Sequence, residues 1–144
     1  MTVSLALDHQ LCFKLYAASR AVTRAYKPML DQLGLTYPQY LAMLVLWEGD
    51  GITVGDISAR LLTDPGSLTP LLKRLEAEGL LTRTRSSADE RVVELRLTEK
   101  GRSLQQQAER FPACILEASG QTLEQINALR DQIVALRDQL QKSL

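Results

Sequence analysis

"TDPGSLTPLLKRLEAEGLLTRTRSSADERVVELRLT", residues 63–98, decides the fold. Leu68, Leu71, Leu72 and Leu75 recur at three- and four-residue intervals, the spacing of one buried helix face. Gly79 follows as a stop. Two starts remain open. Asp64-Pro65 would cap and open the helix, but Pro70 would then fall beyond the first turn and remove an internal hydrogen bond; Ser67 is the other start. After Gly79 the period shortens. Residues 81–85 and 92–97 are β-prone and flank the polar tip "SSADE", which predicts a hairpin with a longer loop.

Helices are predicted on both sides of this stretch. Upstream, Leu11, Leu15, Ala18, Val22, Ala25 and Met29 form a heptad-like stripe, with Asp8 as the expected N-cap. Gly34 ends that helix. Thr36 and Gln39 form a capping box for the next, where Pro38 is tolerated in the first turn. Thr53 and Asp56 repeat the device before a short helix carrying Val54, Ile57 and Leu61. Downstream, residues 98–120 read as a helix kinked or broken by Pro112. The last helix carries Leu123, Ile126, Leu129, Ile133, Leu136 and Leu140, capped by Thr122 and Gln125. The order is helix, helix, short helix, helix, hairpin, helix, helix. That makes a mainly α chain with a small β-hairpin wing (α+β), laid out as a winged helix-turn-helix.

With the leucines facing inward, Ser67, Thr69, Pro70, Lys73 and Arg74 point outward. A helix entering a major groove needs such residues: small ones for close approach, hydroxyls for bases or phosphates, cations for phosphates. Arg83 and Arg85 lie on one hairpin strand and Arg91 beside the tip, where a cation suits the negative minor groove. Asp89 is placed to orient the Arg91 guanidinium. Charge alone argues less. Residues 65–98 hold six Lys/Arg against five Asp/Glu, which also fits a solvated mixed-charge surface. The order of elements is what favours nucleic acid.

The whole chain has 17 Lys+Arg and 17 Asp+Glu, so no global field points to nucleic acid. Its 144 residues suit one domain, 1–144. The longest apolar run, "YLAMLVLW", is far short of the ~20 residues a bilayer span needs. The N-terminal residues lack a secretory pattern, so a cytoplasmic location is expected. Two cysteines in a reducing compartment then read as inert core thiols or as a redox pair. One histidine and two distant cysteines give no zinc spacing, and no glycine-rich phosphate loop is present, so neither metal nor cofactor is expected.

The segment "GDISARLLTDPGSLTPLLKRLEAEGLLTRTRSSADERVVELRLTEKG" resembles the core of MarR-family repressors. "LTPLLKRLEAEGL", the Asp89–Arg91 "D-x-R" and "LTEKG" carry the likeness. The resemblance implies an intertwined helical homodimer, with dimerisation helices at about 8–34 and 98–142 and a DNA-binding lobe at about 36–97. "LDHQLCFKLYAASRAVTRAY" and "LGLTYPQYLAMLVLWE" resemble the organic-hydroperoxide-resistance (OhrR) branch. There, an early reactive cysteine is hydrogen-bonded by two tyrosines; Cys12, Tyr26 and Tyr37 hold the matching positions. Fourteen residues of helix separate Cys12 from Tyr26 by about 21 Å. A contact between them would need the partner subunit.

Taken alone, a cysteine on a helix is more often a packed core residue. The helix dipole favours a thiolate near the N-terminus, while Asp8 opposes it. The matching tyrosines make Cys12 the candidate sensor. Cys114 reads alone as core; the resemblance implies a resolving cysteine in this region, although Cys114 lies about one turn before the usual place. Tyr16 and Tyr40 read as packing residues, Trp47 as core or interface, and His9 as surface.

The expected function is a repressor, not an enzyme, that binds a pseudo-palindromic double-stranded operator as a homodimer. Organic hydroperoxide would oxidise Cys12 and release the DNA. The alternatives are a repressor released by an aromatic or phenolic ligand with Cys12 a bystander, a thiol peroxidase using Cys12 and Cys114, and a helical interaction protein.

Overall fold

The structure is a computed structural model that describes residues 2–144. Helix α1 (Leu11–Leu33) is followed by α2 (Tyr37–Glu48), strand β1 (Ile52–Thr53), α3 (Val54–Leu61) and α4 (Pro65–Ala77). Strands β2 (Leu81–Arg85) and β3 (Val93–Leu97) come next, then α5 (Glu99–Ala108), α6 (Phe111–Ser119) and α7 (Leu123–Lys142). The chain forms two compact units, one through Glu109 and one from Arg110 to Leu144.

In the first unit, α2 to α5 and the sheet enclose the core. Ala42, Met43, Leu46, Ile57, Leu72, Leu75, Leu81 and Leu95 are all at most 1% exposed. The sheet is antiparallel, in order β1-β3-β2, and Leu81 pairs with Leu97 while Ile52 pairs with Leu95. Strand β1 is too short to leave a periodic signal in the sequence. The capping boxes at Thr36/Gln39 and Thr53/Asp56 form as expected, each satisfying two orphan amides.

Gly101 fixes how closely α5 packs. A Cβ there would collide with the Leu80 carbonyl oxygen, and the Gly101 carbonyl accepts a hydrogen bond of 2.9 Å from Trp47 Nε1. This is a physical reason for glycine in "LTEKG". Asp50 completes the joint: its carboxylate accepts from the Leu97 amide (2.8 Å) and from Arg102 (2.9 Å).

Four local expectations resolve differently or more sharply. The N-cap of α1 is Gln10, not Asp8. Asp8 lies inside a 3-10 turn, Leu7–His9, and the extended backbone of Gln10 separates that turn from the helix. The Gln10 amide donates backward to the Ser4 and Ala6 carbonyls instead of capping. Helix α4 starts at Pro65 with Asp64 as N-cap, so Pro70 does lie within it. The Gly66 carbonyl loses its helical donor, but Gly66 and Pro70 are exposed and water can serve it. Of the kink or break expected at Pro112, the structure has the break: α5 ends at Ala108 and Pro112 occupies the first turn of α6. Tyr16 is exposed, 62%, with Arg20 over its ring.

In the second unit, α7 is capped by Thr122 and Gln125 as expected, and none of its residues is buried. Leu123, Leu129, Ile133 and Leu140 of its stripe are exposed. On α1, Leu11 and Val22 are exposed likewise. Among the described residues, no helix is long and apolar enough to cross a membrane.

Candidate DNA-binding and thiol sites

Helix α3, a short turn and α4 form a helix-turn-helix. Leu62 ends α3 in the left-handed conformation (φ 56°), which redirects the chain toward α4. Asp64 then caps α4, accepting from the Ser67 amide (3.0 Å) and hydroxyl (2.9 Å). These two bonds, the hydroxyl first, hold the Asp64 carboxyl below the usual carboxylate range, so the cap stays charged at neutral pH. Leu68, Leu72 and Leu75 are buried, as the leucine spacing requires. Pro70, Lys73 and Arg74 are exposed and Thr69 is half-buried. Thr69 donates to the Pro65 carbonyl (3.0 Å). The Ser67 and Thr69 protons are thus committed, leaving their oxygens as acceptors.

The hairpin pairs Arg83 with Leu95 and Arg85 with Val93. Its tip is closed by bonds from the Ser86 amide to the Val92 carbonyl and from the Val92 amide to the Asp89 carbonyl. Arg85 is drawn toward the tip by the Glu90 carbonyl, 2.7 Å from its Nη1. At the tip, the Arg91 guanidinium donates twice to Asp89, Nε to Oδ1 (3.2 Å) and Nη2 to Oδ2 (3.3 Å). The Arg91 amide donates to the same Oδ1 at 3.0 Å. The guanidinium first, then the amide, holds the Asp89 carboxyl below its ordinary range. The side chain of Arg91 is 90% exposed, so the carboxylate orients it without burying it.

The thiol residues divide between the units. Cys12 is exposed at the second position of α1. Tyr26 lies on the same helix, too far along it for contact within one chain. Tyr26 and Tyr37 do come together, with ring centroids 5.2 Å apart. Tyr40 joins them, 5.5 Å from Tyr26 and 6.1 Å from Tyr37, and its edge meets Trp47. It is buried, 3% exposed, as a packing residue should be. Burial raises all three phenols above the usual tyrosine value, Tyr40 to about 12. The signal for Tyr40 was its spacing three residues after Tyr37, which puts both rings on one face of α2. Cys114, in the second unit, is half-buried in α6.

Beside Tyr37, a trough of about 460 Å³ runs along α1. Arg20, Arg24, Lys27, Leu30 and Leu35 are among the residues that line it.

A helix-turn-helix with outward cations, followed by an arginine-tipped hairpin, defines a winged-helix DNA-binding protein. The family model described as "Transcriptional regulator SarA/Rot" matches residues 24–108. The organic hydroperoxide resistance transcriptional regulator of Bacillus subtilis (strain 168) is 49% identical over 129 residues, 90% of this chain and 88% of that protein. Among solved structures, reduced AbfR bound to DNA (AbfR of Staphylococcus epidermidis) is 33% identical, with a TM-score of 0.77 and 93% of each chain covered. The same protein has also been solved in a disulfide-formed state, with a TM-score of 0.65 at 33% identity over 94% of this chain and 90% of that one. CouR from Rhodococcus jostii RHA1, bound to p-coumaroyl-CoA, is 26% identical over 92% of this chain and 95% of that one, with a TM-score of 0.78. The chain belongs to the MarR-type winged-helix transcriptional regulators and, within them, to the organic-hydroperoxide-resistance branch. It is a DNA-binding regulator of transcription, and its relatives are regulators rather than enzymes.

Proposed function

We propose that this regulator is a cytoplasmic homodimeric repressor that senses organic hydroperoxides through Cys12. The observation that carries the reading is the pairing of an exposed thiol at the start of α1 with a clustered pair of phenols, Tyr26 and Tyr37, at its other end. Two antiparallel copies of α1 would bring each thiol to the other chain's phenols. The exposed apolar residues of α1 and α7 support such a dimer, because amphipathic stripes of this regularity call for a partner surface. Residues 8–34 and 98–142 then supply the dimer helices, and 36–97 the lobe that reads DNA. Ser67, Thr69, Pro70, Lys73 and Arg74 face the major groove. Arg83 and Arg85 meet the backbone, and Arg91, steadied by Asp89, enters the minor groove.

In the sensing step the Cys12 thiolate attacks a peroxide oxygen. The O–O bond breaks, an alcohol leaves, and sulfur becomes sulfenic acid. The thiol of Cys114 from the other chain, or a small thiol, displaces that hydroxyl as water and forms a disulfide. The phenols lose the sulfur they held, the lobes shift, and the operator is released. Operator binding by reduced and by cumene-hydroperoxide-treated protein tests this, with Cys12→Ser alongside. The variant should dimerise and bind DNA but keep its operator after peroxide. A variant that still leaves the DNA removes Cys12 as the sensor.

A second reading is favoured by the trough, whose volume falls in the range of small-molecule sites. There, an aromatic or phenolic ligand releases the DNA and Cys12 is a bystander. Intact-mass spectra separate the two: equimolar cumene hydroperoxide should add one oxygen to Cys12, or remove two hydrogens with Cys114.

A further inference from the structure

We propose that Thr98 is a positioning residue for DNA binding: its single hydroxyl joins the first turn of α5 to the end of α4, so the helix that reads the groove takes its pose from α5. The inference rests on the reading of α4 as the helix that enters the major groove.

Three observations carry it. First, the Thr98 hydroxyl is used in both directions. Its oxygen accepts from the Gly101 amide at 3.0 Å, which caps α5, and its proton goes to the Gly79 carbonyl at 2.6 Å, just past the end of α4. The Thr98 amide donates to the next carbonyl, that of Leu80, at 3.1 Å. Second, Lys100 of α5 donates from Nζ to the carbonyl of Glu78, the C-cap of α4, at 3.0 Å. A cation there meets the negative end of the helix dipole. Third, the same turn of α5 is fixed on other sides as well. The Asp50 carboxylate ties Arg102 to the Leu97 amide of the wing strand, and Trp47 of α2 donates to the Gly101 carbonyl.

Carbonyls at a helix C-terminus lack partners within the helix. At the end of α4 those of Glu78 and Gly79 are both taken up by α5. Helix α5 opens the span assigned to the dimer helices, so the separation of the two recognition helices in a dimer is set through this contact. A recognition helix that pivots holds its binding pose only part of the time, and its apparent affinity falls by that fraction. Base contacts demand the pose more strictly than phosphate attraction does, so the loss falls on sequence discrimination.

The test uses the full-length dimer with Thr98→Asp, Thr98→Ser and Lys100→Met. Aspartate caps a helix as well as threonine does, but its carboxylate has no proton for the Gly79 carbonyl. Serine keeps both bonds. The readouts are thermal unfolding and the ratio of affinities for two duplexes of equal length, one selected by wild type from a random pool and one scrambled. The ratio cancels the added charge, because both duplexes carry the same phosphates. Thr98→Asp should lower the ratio about tenfold, the weight of one to two neutral hydrogen bonds across two lobes. Thr98→Ser should restore it. Lys100→Met, at an exposed position, should lower it about threefold with an unchanged salt slope. A wild-type ratio in Thr98→Asp or in Lys100→Met, with only a lower unfolding midpoint, makes the contact merely structural and overturns the inference. So does a salt slope reduced by about 0.9 per half-site in Lys100→Met, which makes that lysine a phosphate contact. If Lys73→Ala leaves the salt slope unchanged, the placing of α4 in the groove fails first and the inference with it.

Discussion

Replacing Arg91 with alanine isolates the wing from the rest of the protein. In the free protein the guanidinium is 90% exposed and bonds to one carboxylate that is itself partly exposed. Exposed pairs contribute little to folding, so Arg91→Ala should change stability by less than about 0.5 kcal/mol. On DNA the account differs. A hydrogen bond from a charged donor is worth about 1.5–3 kcal/mol. A dimer has two wings, so the loss is about 3–6 kcal/mol, or two to four orders of magnitude in operator affinity. Each minor-groove cation also displaces condensed counterions, so removing two should flatten the salt dependence by up to about 1.8 in log–log slope. Fluorescence anisotropy with a labelled operator over a salt series measures both quantities, and thermal unfolding supplies the stability control. Asp89→Ala should give a smaller affinity loss and an unchanged salt slope, because it disorders the cation without removing it. Operator affinity within twofold of wild type for Arg91→Ala, with an unchanged slope, would refute the wing-tip assignment.

Other outcomes follow from particular residues. Lys73→Ala, on the exposed face of α4, should reduce the salt slope by about 0.9 per half-site while leaving the unfolding midpoint unmoved. Gly101→Ala should destabilise the fold by about 1–3 kcal/mol, since its Cβ meets the Leu80 carbonyl oxygen and forces α5 away from it; thermal unfolding reads this directly. The raised phenols predict a loss of stability at alkaline pH. Tyr40 ionises near pH 10 when unfolded but at about 12 when folded, so its contribution is whole below pH 10 and disappears as pH rises through about 12. Phenolate absorbance followed alongside unfolding should show late, cooperative ionisation, reduced in Tyr40→Phe. In Cys114→Ser, Cys12 should still become sulfenic acid but should not yield a covalent dimer on a non-reducing gel; a covalent dimer that persists would exclude Cys114 as the resolving thiol.

How much of this was legible in the sequence depended on the range of the interaction that fixed each feature. Capping boxes are closed by residues three apart, and Thr36, Thr53 and Thr122 all behave as their neighbours dictate. The α4 leucines repeat at helical spacing and are buried accordingly, while the wing strands announce themselves by a change of period. Asp8 misled because a good capping residue is only a cap if the chain leaves the helix at that point, and here the backbone of Gln10 makes the turn. Pro70 argued for a later helix start because a lost hydrogen bond looks costly, but its cost falls when the freed carbonyl faces water. Strand β1 was invisible: two residues carry no period, and they pair only because β3 lies beside them.

The thiol site was half legible for the same reason. Cys12 and Tyr26 lie on one helix and can be placed by counting residues, and the count itself requires a second chain. Tyr40 was read only as a core aromatic, since burial is what its spacing on α2 predicts. What spacing cannot give is the direction of a hydroxyl. A buried tyrosine must find a partner for its O–H, and here its ring also packs against two phenols nearer the surface. The packing requirement and the chemical one fall on a single residue. A substitution that preserves the ring and deletes the oxygen therefore separates them: the core stays filled in Tyr40→Phe, and the change in the unfolding midpoint is what the hydroxyl itself contributes.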